Sequence, residues 1–486
     1  MNKIYNVGII GGGVSGVVIA LQLAELGIDN VLLEQEKSVV NGPPFCHLHA
    51  GGNLYPDISD EQCRTLMKQS IEMARLFPQS IDERPTLISI PKTENTQVDI
   101  LEARLEMLKS YYEQLIEEDP YNAVLGVSED YYKAYSKEEI EVLVTLPTTK
   151  KPSLPDEWMT NAVKLIDYNQ LKMPVFLVQE YGWNLFRVGA QAQLALEKAD
   201  KCTLKLNTKV ENIIDVRNQG VGYNWKIQTN DSLYKVNYLV NSCGFRTGRF
   251  DDCLHLNVER LIEFKAAYIS QWQPISGLIP ELIFHGERGT SHGMAQLTPY
   301  RNNYYQIHGM TENITLFKNG LVKTKGNVAQ PEFDEAINRK LNYGWNEDEI
   351  NIRTEKAIDY VTKFVPSFES ATVGGSPLYG AQQIPGSDLS LRVGEVSFPT
   401  EFYARSEIVK ASSALTVANQ IIDKMQEENI IESVTERSNN NFIIDRITKN
   451  EIDKLAAELT EQRGYPKELS RLIIEKNDKS KTDTSV

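Results

Sequence analysis

The pattern of apolar and polar positions is clearest at the N-terminus, where two apolar segments flank a glycine-rich one. Residues 4–10, IYNVGII, show little polar alternation, which predicts a strand buried in a parallel sheet. Residues 17–26 are apolar on almost every side, which predicts a helix packed on that sheet, and Gly27 suits its C-terminal end. Residues 31–33 predict a second strand, which ends at Glu34.

The rest of the chain contains both helical and strand periodicity. Apolar residues at helical spacing predict helices at 97–118, 333–343 and 346–363. Alternating apolar and polar residues predict strands within 202–213, 222–229 and 234–241. We therefore expect an α/β (α+β) fold.

The chain changes character after Asn419, where charged residues dominate and amphipathic stretches are short. This composition predicts a helical appendix at residues 426–476 and a disordered tail at 477–486. The apolar residues of the appendix need a partner surface; they are Ile430, Ile431, Phe442, Ile443 and Ile444. That surface is either the body of the same chain or a second subunit, so a homo-oligomer formed through the appendix is one expectation.

Three glycines follow the first strand in the spacing Gly11-x-Gly13-x-x-Gly16. In a dinucleotide-binding turn, the first glycine permits the tight turn, the second lets a pyrophosphate approach the backbone, and the third lets helix and strand pack closely. Glu34 lies 18 residues after Gly16, near the interval expected of an acid that binds a ribose 2′-hydroxyl. The acid disfavours a 2′-phosphate, and hence NADP. FAD and NAD share this motif, which by itself leaves both open.

Composition sets limits on the class of protein. The 486 residues correspond to about two or three domains, or to one large interleaved enzyme. A hydrophobic fraction of 41% and a charged fraction of 24% are ordinary for a folded protein. The net charge of −15 argues against nucleic acid as a partner, because phosphate binding needs clustered lysine and arginine.

Five cysteines without C-x-x-C spacing favour free thiols in a reducing compartment. Cys46, His47 and His49 lie close together, but no second group of metal ligands follows, so we predict no metal site. We see neither a secretory signal nor a run of about 18 apolar residues, so we expect no transmembrane segment. The expected location is cytosolic, with peripheral membrane contact left open.

The segment KSVVNGPPFCHLHAGGNLYPD, residues 37–57, follows the second strand. With the glycine motif, its His49-Ala50-Gly51-Gly52 resembles the D-amino-acid oxidase superfamily of FAD enzymes. Its 2-hydroxy-acid members, L-2-hydroxyglutarate oxidase and malate:quinone oxidoreductase, resemble it most. Related dimethylglycine and sarcosine dehydrogenases link a comparable histidine covalently to flavin. The resemblance implies FAD as the cofactor, with His49, Ala50 and Gly51 near it.

Further segments resemble the family in the same order, over about residues 4–422. The resemblance implies that Val210 places backbone atoms on the adenine, that Asn241 and Gly244 close a cofactor-binding strand, and that Lys265 is a basic residue of the substrate sheet. The segment 291–309 resembles a His-x-Thr-Pro hairpin of the 2-hydroxyglutarate enzymes.

Residues 407–422 resemble the closing loop and helix near the flavin, which implies cofactor contacts for Ser412 and Ser413. The chain departs from the family here, because Ala411-Ser412-Ser413-Ala414 replaces the usual glycines. Gly375-Ser376-Pro377 also lacks the arginine that usually precedes this loop.

The resemblance implies a Rossmann-type FAD-binding lobe interleaved with a mixed-sheet substrate lobe. The predicted FAD-binding lobe comprises residues 1–90, 160–250 and 370–425. The predicted substrate lobe comprises residues 91–159 and 251–369.

His49 is the leading catalytic candidate, either as a base or as a covalent flavin link, because histidine titrates near working pH. Packing against the isoalloxazine is an equally good interpretation. Lys265 and Arg392 are candidates for anchoring a substrate carboxylate. Other arginines considered for that role are Arg246, Arg288 and Arg405. His292 and His308 lie on the expected hairpin, where a core role is more common, and His255 and His285 carry no signal.

We expect an FAD-dependent oxidoreductase that oxidises a small amine, an amino acid or a 2-hydroxy acid by hydride transfer to flavin N5. Oxygen, a quinone or a carrier would accept the electrons. Two alternatives stay open. One is a biosynthetic flavoenzyme for a larger or carrier-bound amine; the other is a flavoprotein in which FAD is structural and the appendix mediates assembly.

Overall fold

A computed structural model describes residues 3–44, 58–432 and 443–474. The strands are β1 (Ile4–Ile10), β2 (Asn30–Leu33), β3 (Ile81–Asp82), β4 (Thr86–Ser89), β5 (Tyr132–Tyr135), β6 (Val175–Val178), β7 (Gly182–Trp183), β8 (Cys202–Lys205), β9 (Val210–Asp215), β10 (Trp225–Thr229), β11 (Leu233–Asn241), β12 (Arg260–Gln271), β13 (Glu281–Phe284), β14 (Ala295–Pro299), β15 (Tyr304–Gly309), β16 (Leu321–Lys323), β17 (Thr372–Val373), β18 (Leu378–Pro385), β19 (Glu395–Thr400) and β20 (Tyr403–Glu407). The helices are α1 (Val14–Glu25), α2 (Asp60–Leu76), α3 (Val98–Glu118), α4 (Lys137–Thr145), α5 (Pro155–Val163), α6 (Leu185–Lys198), α7 (Gly248–Cys253), α8 (Glu335–Tyr343), α9 (Glu347–Thr362), α10 (Ala414–Glu427) and α11 (Lys449–Gln462).

The first sheet has a parallel centre in the order β20-β11-β1-β2-β8. Ile9 of β1 lies between Leu32 of β2 and Val240 of β11, and all three are fully buried. Strands buried on both faces carry nearly continuous apolar runs, which is the pattern that predicts β1. β19 and the β9–β10 pair extend this sheet with antiparallel strands. The expected Rossmann-type arrangement is confirmed.

Helix α1 connects β1 to β2 and packs against α6 and α10 as well as the sheet. These contacts cover most faces of the helix, which explains why every residue from Val17 to Leu23 except Gln22 is apolar. Gly27 follows the helix with a φ of +76°, the left-handed conformation in which glycine commonly ends helices.

The second sheet is mixed, in the order β16-β12-β15-β14-β13-β4-β6-β5, with β17 and β18 also paired to β12. Its outer face packs with α5 and α9, and Ala266 and Tyr268 of β12 lie in that core. Alternation places Glu263 and Lys265 of the same strand on the opposite face, together with Ala267 and Ile269. We call this opposite side the inner face; Ala267 and Ile269 there pack near α6 of the first sheet's layer.

Three strands of the second sheet come from ranges that the sequence predicts for the FAD-binding lobe: Thr86–Ser89, Val175–Val178 and Leu378–Pro385. The lobe boundaries themselves stay a prediction. An apolar run predicts a strand but contains no information about its pairing partner, which lies far away in sequence.

A buried group of four charges joins β12 to the first sheet. Arg260 at the start of β12 is fully buried and contacts Asp251 of α7 at 2.6 Å and Glu407 of β20 at 3.0 Å. Arg405 completes the group, 3.3 Å from Asp251 and 3.7 Å from Glu407. Two arginines thus balance two acids, which is how buried charges are tolerated. Arg405, considered for substrate anchoring, therefore lies in a structural network.

The appendix folds back on its own chain within the described residues. Asp453 of α11 pairs with Arg187 of α6 at 2.6 Å, and Glu451 of α11 pairs with Lys198 of α6 at 2.8 Å. Ile443 and other apolar residues of this segment join the core around α1. Of the two partner surfaces expected, the structure uses the body of the same chain. Phe442 and the predicted tail at 477–486 lie outside the described residues.

Candidate functional site

The three glycines of the N-terminal motif have three different surroundings. Gly11 has a φ of +98°, and a Cβ on it would lie 2.5 Å from the backbone oxygen of Ser242 at the end of β11. A Cβ on Gly16 would collide with the carbonyl oxygen of Gly11. A Cβ on Gly13 would meet nothing within 4 Å, so the space beside the first turn of α1 is open to a ligand.

Glu34 stands at the end of β2, facing the glycine turn. Its Oε2 accepts the backbone N–H of Gly12 at 2.6 Å, and its Oε1 accepts that of Glu36 at 2.9 Å. Burial raises the pKa of Glu34, and these two backbone N–H groups partly oppose that rise. The two hydrogen bonds fix the carboxylate beside the open space, where it retains lone pairs for hydroxyl donors.

Other residues predicted to bind cofactor surround the same strand ends. In the link before β9, the backbone N–H of Thr208 donates to the backbone carbonyl of Glu34 at 2.8 Å, and Val210 begins β9 two residues later. Gly244 follows β11 with a φ of +56° and open space at its Cβ position. Asn241 is fully buried and donates to the Thr247 carbonyl and to the Tyr403 hydroxyl, both at 3.0 Å.

Two buried hydroxyls near the start of α1 have no hydrogen-bond partner among the described residues, Ser242 Oγ and Ser412 Oγ. Ser242 lies beside Gly11 and Gly16, and Ser412 belongs to the turn before α10, which contacts α1. Ser413, in contrast, donates to Gln69 at 2.8 Å and accepts from the Gly394 N–H at 3.0 Å. Buried polar groups are normally satisfied, so the two orphan hydroxyls fit a polar ligand such as FAD.

Segment 38–44 runs from the glycine turn to the inner face of the second sheet. The Val40 N–H donates to the Gly12 carbonyl at 2.8 Å. Pro43 packs against Gly380 of β18, where a Cβ would lie 2.5 Å from the Pro43 ring. Gly380 pairs with Lys265 of β12. The open space at Gly13 and the side chain of Lys265 are therefore connected by one short segment.

Lys265 belongs to a charged cluster on the inner face. Its Nζ lies 2.7 Å from Oε2 of Glu263 and donates to Oε1 of Gln382 at 3.1 Å. Arg288 pairs with the other carboxylate oxygen of Glu263. Burial acts to raise the pKa of Glu263, but Lys265 and Arg288 lower it below its ordinary value. Burial lowers the pKa of Lys265, Arg288 lowers it further, and Glu263 opposes both.

Two more cations complete this cluster. Lys410 precedes the turn at Ser412; burial lowers its pKa well below the ordinary range, and the charges of Arg392 and Lys265 add to that shift. Arg392 lies in the loop before β19, where its guanidinium donates to the Leu389 carbonyl at 2.6 Å. Arg392 also acts on the pKa of Glu263, so both predicted anchoring residues, Lys265 and Arg392, belong to one electrostatic neighbourhood.

The histidines occupy different environments. His308 is buried on β15, with its Nδ1 3.4 Å from the Gln306 amide. His285 is buried after β13, and His292 and His255 are exposed. Arg246 donates to Asn342 at 3.2 Å, and its guanidinium lies 5.2 Å from the centre of the Phe245 ring.

His49, Ala50 and Gly51 lie outside the described residues, as do Cys46 and His47. In the part of the chain that is described, we find no group of three His, Cys, Asp or Glu side chains placed to hold a metal ion. Nor is any helix in that part long and apolar enough to cross a bilayer.

Sequence reasoning missed Glu263 and Lys410. Glu263 has a detectable signal, since Glu263 and Lys265 are charged residues two apart in the apolar stretch 261–269 of one strand and so share one face. Lys410 has none, because it approaches Lys265 only through the pairing of distant strands.

Solved structures share this fold. Glycine oxidase from Geobacillus kaustophilus is 14% identical, with a TM-score of 0.54 over 92% of this chain and 100% of its own. L-proline dehydrogenase from P. horikoshii is 14% identical, with a TM-score of 0.58 over 92% of this chain and 99% of its own. Glycerol-3-phosphate dehydrogenase from Bacillus halodurans, complexed with FAD, is 14% identical, with a TM-score of 0.53 over 96% of this chain and 74% of its own.

The likeness establishes the fold: the chain has the two-layer architecture of these oxidases and dehydrogenases, as the resemblance predicts. No family model and no curated protein sequence matches the chain. The nearer resemblance to L-2-hydroxyglutarate oxidase and malate:quinone oxidoreductase stays a prediction.

Proposed function

We propose that this chain is an FAD-dependent oxidoreductase that oxidises a small amine, an amino acid or a 2-hydroxy acid. The observation that carries the proposal is the open space at Gly13, beside the first turn of α1 and facing the fixed carboxylate of Glu34. This arrangement occurs on a fold shared with a dehydrogenase complexed with FAD.

The residues present fit each part of FAD. The first turn of α1 would hold the pyrophosphate, because backbone N–H groups and the helix dipole attract anions there. Glu34 would accept hydrogen bonds from the adenosine ribose, with Val210 beside it on β9. Ser242 and Ser412 supply hydroxyls that have no other partner among the described residues. Gly244, with its exposed backbone, lies at the same edge of the sheet.

FAD, when bound, supplies a hydride acceptor at its N5 atom. The chain must then place the substrate carbon and hold any carboxylate of the substrate. Lys265 and Arg288 share Glu263 on the inner face, and Arg392 and Lys410 lie near them, which gives an anionic substrate several cations at one place. Arginine and lysine donors bind carboxylates through charge-assisted hydrogen bonds.

His49 remains the predicted base or point of flavin attachment, in a segment outside the described residues. Acid precipitation separates these two roles. Flavin colour that stays with the precipitated protein supports a covalent link, and colour that moves to the supernatant contradicts it. Oxygen, a quinone or a carrier protein is the proposed electron acceptor.

Reconstitution with FAD tests the cofactor assignment. The apoprotein is titrated with FAD while flavin fluorescence and visible absorbance are followed, with the variant Gly13→Val alongside. Gly13 has a φ of −68° and free space at its Cβ, so the variant should fold, while its side chain fills the space for the pyrophosphate. We expect one FAD per wild-type chain and binding weakened at least about tenfold in the variant. Equal binding by both proteins, or by neither, contradicts the assignment.

A further inference from the structure

The turn at residues 38–42 is held in a strained conformation. Val40 is buried and has a φ of +58°, which is a rare conformation for a β-branched residue. Its N–H nevertheless donates to the Gly12 carbonyl at 2.8 Å, inside the glycine turn. A strained residue persists only where its surroundings impose the conformation, and such residues cluster at functional sites.

Arg463, just after α11, supplies the restraint from the other side of the turn. Its guanidinium donates to three consecutive carbonyls, at 3.5 Å to Val40, 3.2 Å to Asn41 and 3.0 Å to Gly42. A rigid fork with five N–H donors suits such a row of acceptors, whereas an ammonium group is a point charge. The contact joins residues more than 400 positions apart in the chain.

Contacts with the rest of the chain fix the C-terminal segment, and they thereby fix the position of Arg463. The guanidinium lies over the rings of Phe186 and Tyr465, at 5.3 Å and 5.6 Å from their centres. Asn184 donates to the Leu469 carbonyl at 2.7 Å. Further on, the backbone N–H groups of residues 473 and 474 donate to the buried carboxylate of Asp82 at 2.8 Å and 3.0 Å.

We propose that Arg463 is a positioning residue of the FAD site, through which the C-terminal segment holds the 38–42 turn against the glycine turn. The proposal rests on the proposed function for its ligand. It gives the appendix a role within the same chain: without Arg463 the turn relaxes, Gly12 loses the hydrogen bond from Val40, and the open space at Gly13 loses its fixed shape. Cofactor binding then depends on a residue that acts through the 38–42 turn.

The test compares Arg463→Met, Arg463→Lys and the matched control Arg471→Met, an exposed arginine of the same segment. Two quantities are measured for each full-length protein. The first is amide hydrogen exchange of peptides covering residues 37–44 in the absence of FAD. The second is the dissociation constant for added FAD. Thermal unfolding reports whether each variant is folded.

We expect Arg463→Met to accelerate exchange in residues 37–44 and to weaken FAD binding by about tenfold, the size expected for losing hydrogen bonds from a charged donor. Arg463→Lys should lie between Arg463→Met and wild type, because the charge remains and the fork is lost. Arg471→Met should match wild type in both measurements.

The proposal would be overturned if Arg463→Met had the same amide hydrogen exchange in residues 37–44 and the same FAD affinity as wild type. Exchange accelerated equally across the first sheet in both Arg463 variants would also overturn it, since Arg463 would then be a general stability residue. Failure of the proposed function gives a different result, because wild-type protein itself then binds no FAD. Amide hydrogen exchange in residues 37–44 still shows in that case whether Arg463 holds the turn.

Discussion

The backbone N–H of Gly12 donates a hydrogen bond of 2.6 Å to the Glu34 carboxylate. The contact ties the middle of the glycine turn to the end of β2, so the two parts of the nucleotide motif are held together before any ligand arrives. A Cβ on Gly12 would lie only 3.0 Å from Oε2 of Glu34, which accounts for a glycine at this position too. The pair sets both the shape and the charge of the site.

FAD affinity should fall on the acid side of neutrality. Burial raises the pKa of Glu34 above the ordinary glutamate value of about 4.3, so its carboxylate gains a proton at a higher pH than usual. The protonated acid is a poorer acceptor for ribose hydroxyls. Dissociation constants measured from neutral pH downward should therefore rise in wild type, whereas Glu34→Gln should bind weakly at every pH. Exposed Glu355→Gln, on α9, is the control and should keep the wild-type profile.

Gly13 and Gly16 should respond oppositely to alanine. Gly13→Ala places its methyl group in open space at an ordinary φ, so the free energy of unfolding should stay equal or rise by up to about 1 kcal/mol. Gly16→Ala drives a methyl group into the Gly11 carbonyl, and the free energy of unfolding should fall by about 2 kcal/mol or more. Urea unfolding of the apoproteins measures both. Equal losses would contradict the packing described for α1 and β1.

Lys265 should govern how an anionic substrate binds at alkaline pH. Burial lowers the pKa of Lys265 below the ordinary lysine value of about 10.4, so its positive charge is lost at a lower pH than usual. KM should rise as pH increases through that range. Arginine stays protonated, so Lys265→Arg should reduce the rise in KM, and the rise that remains is due to Lys410, whose pKa burial also lowers. Lys265→Met should show a high KM at every pH. Exposed Lys323→Arg is the control; a wild-type KM profile in Lys265→Met would contradict the anchoring role.

The buried charges around Arg260 should be essential for stability. Arg260→Met leaves Asp251 and Glu407 in a buried site with one cation fewer, which should lower the free energy of unfolding by about 3–5 kcal/mol. Arg249→Met, on the exposed side of α7, should change it by less than about 0.5 kcal/mol. If Arg260→Met lowered the free energy of unfolding no more than Arg249→Met does, the network would not hold β12 to the first sheet.

Local patterns predict the nucleotide motif well. Strand Ile4–Ile10, helix Val14–Glu25 and the strand before Glu34 lie where the periodicity places them, because each depends on neighbours in sequence. The helices at Val98–Glu118 and Glu347–Thr362 follow the same rule. The resemblance to FAD enzymes predicts the two-layer fold.

Contacts between distant segments account for what sequence reasoning missed. Arg405 carries no mark that distinguishes a substrate anchor from a member of the Arg260 network. Lys410 reaches the Lys265 cluster, and Arg463 reaches the 38–42 turn, only after the chain has folded. Strand Thr86–Ser89 joins the second sheet because its partner is Glu281–Phe284, nearly two hundred residues later. No local pattern contains these pairings.

Anaerobic substrate reduction tests the central claim most directly. Protein reconstituted with FAD is mixed without oxygen with a panel of small amines, amino acids and 2-hydroxy acids, and the visible absorbance of oxidised flavin is followed. We predict that at least one compound bleaches the flavin in wild type, and that Lys265→Met needs a higher concentration of the same compound if it is anionic. Protein that binds FAD but stays oxidised with every donor would contradict the account and favour a structural role for the cofactor.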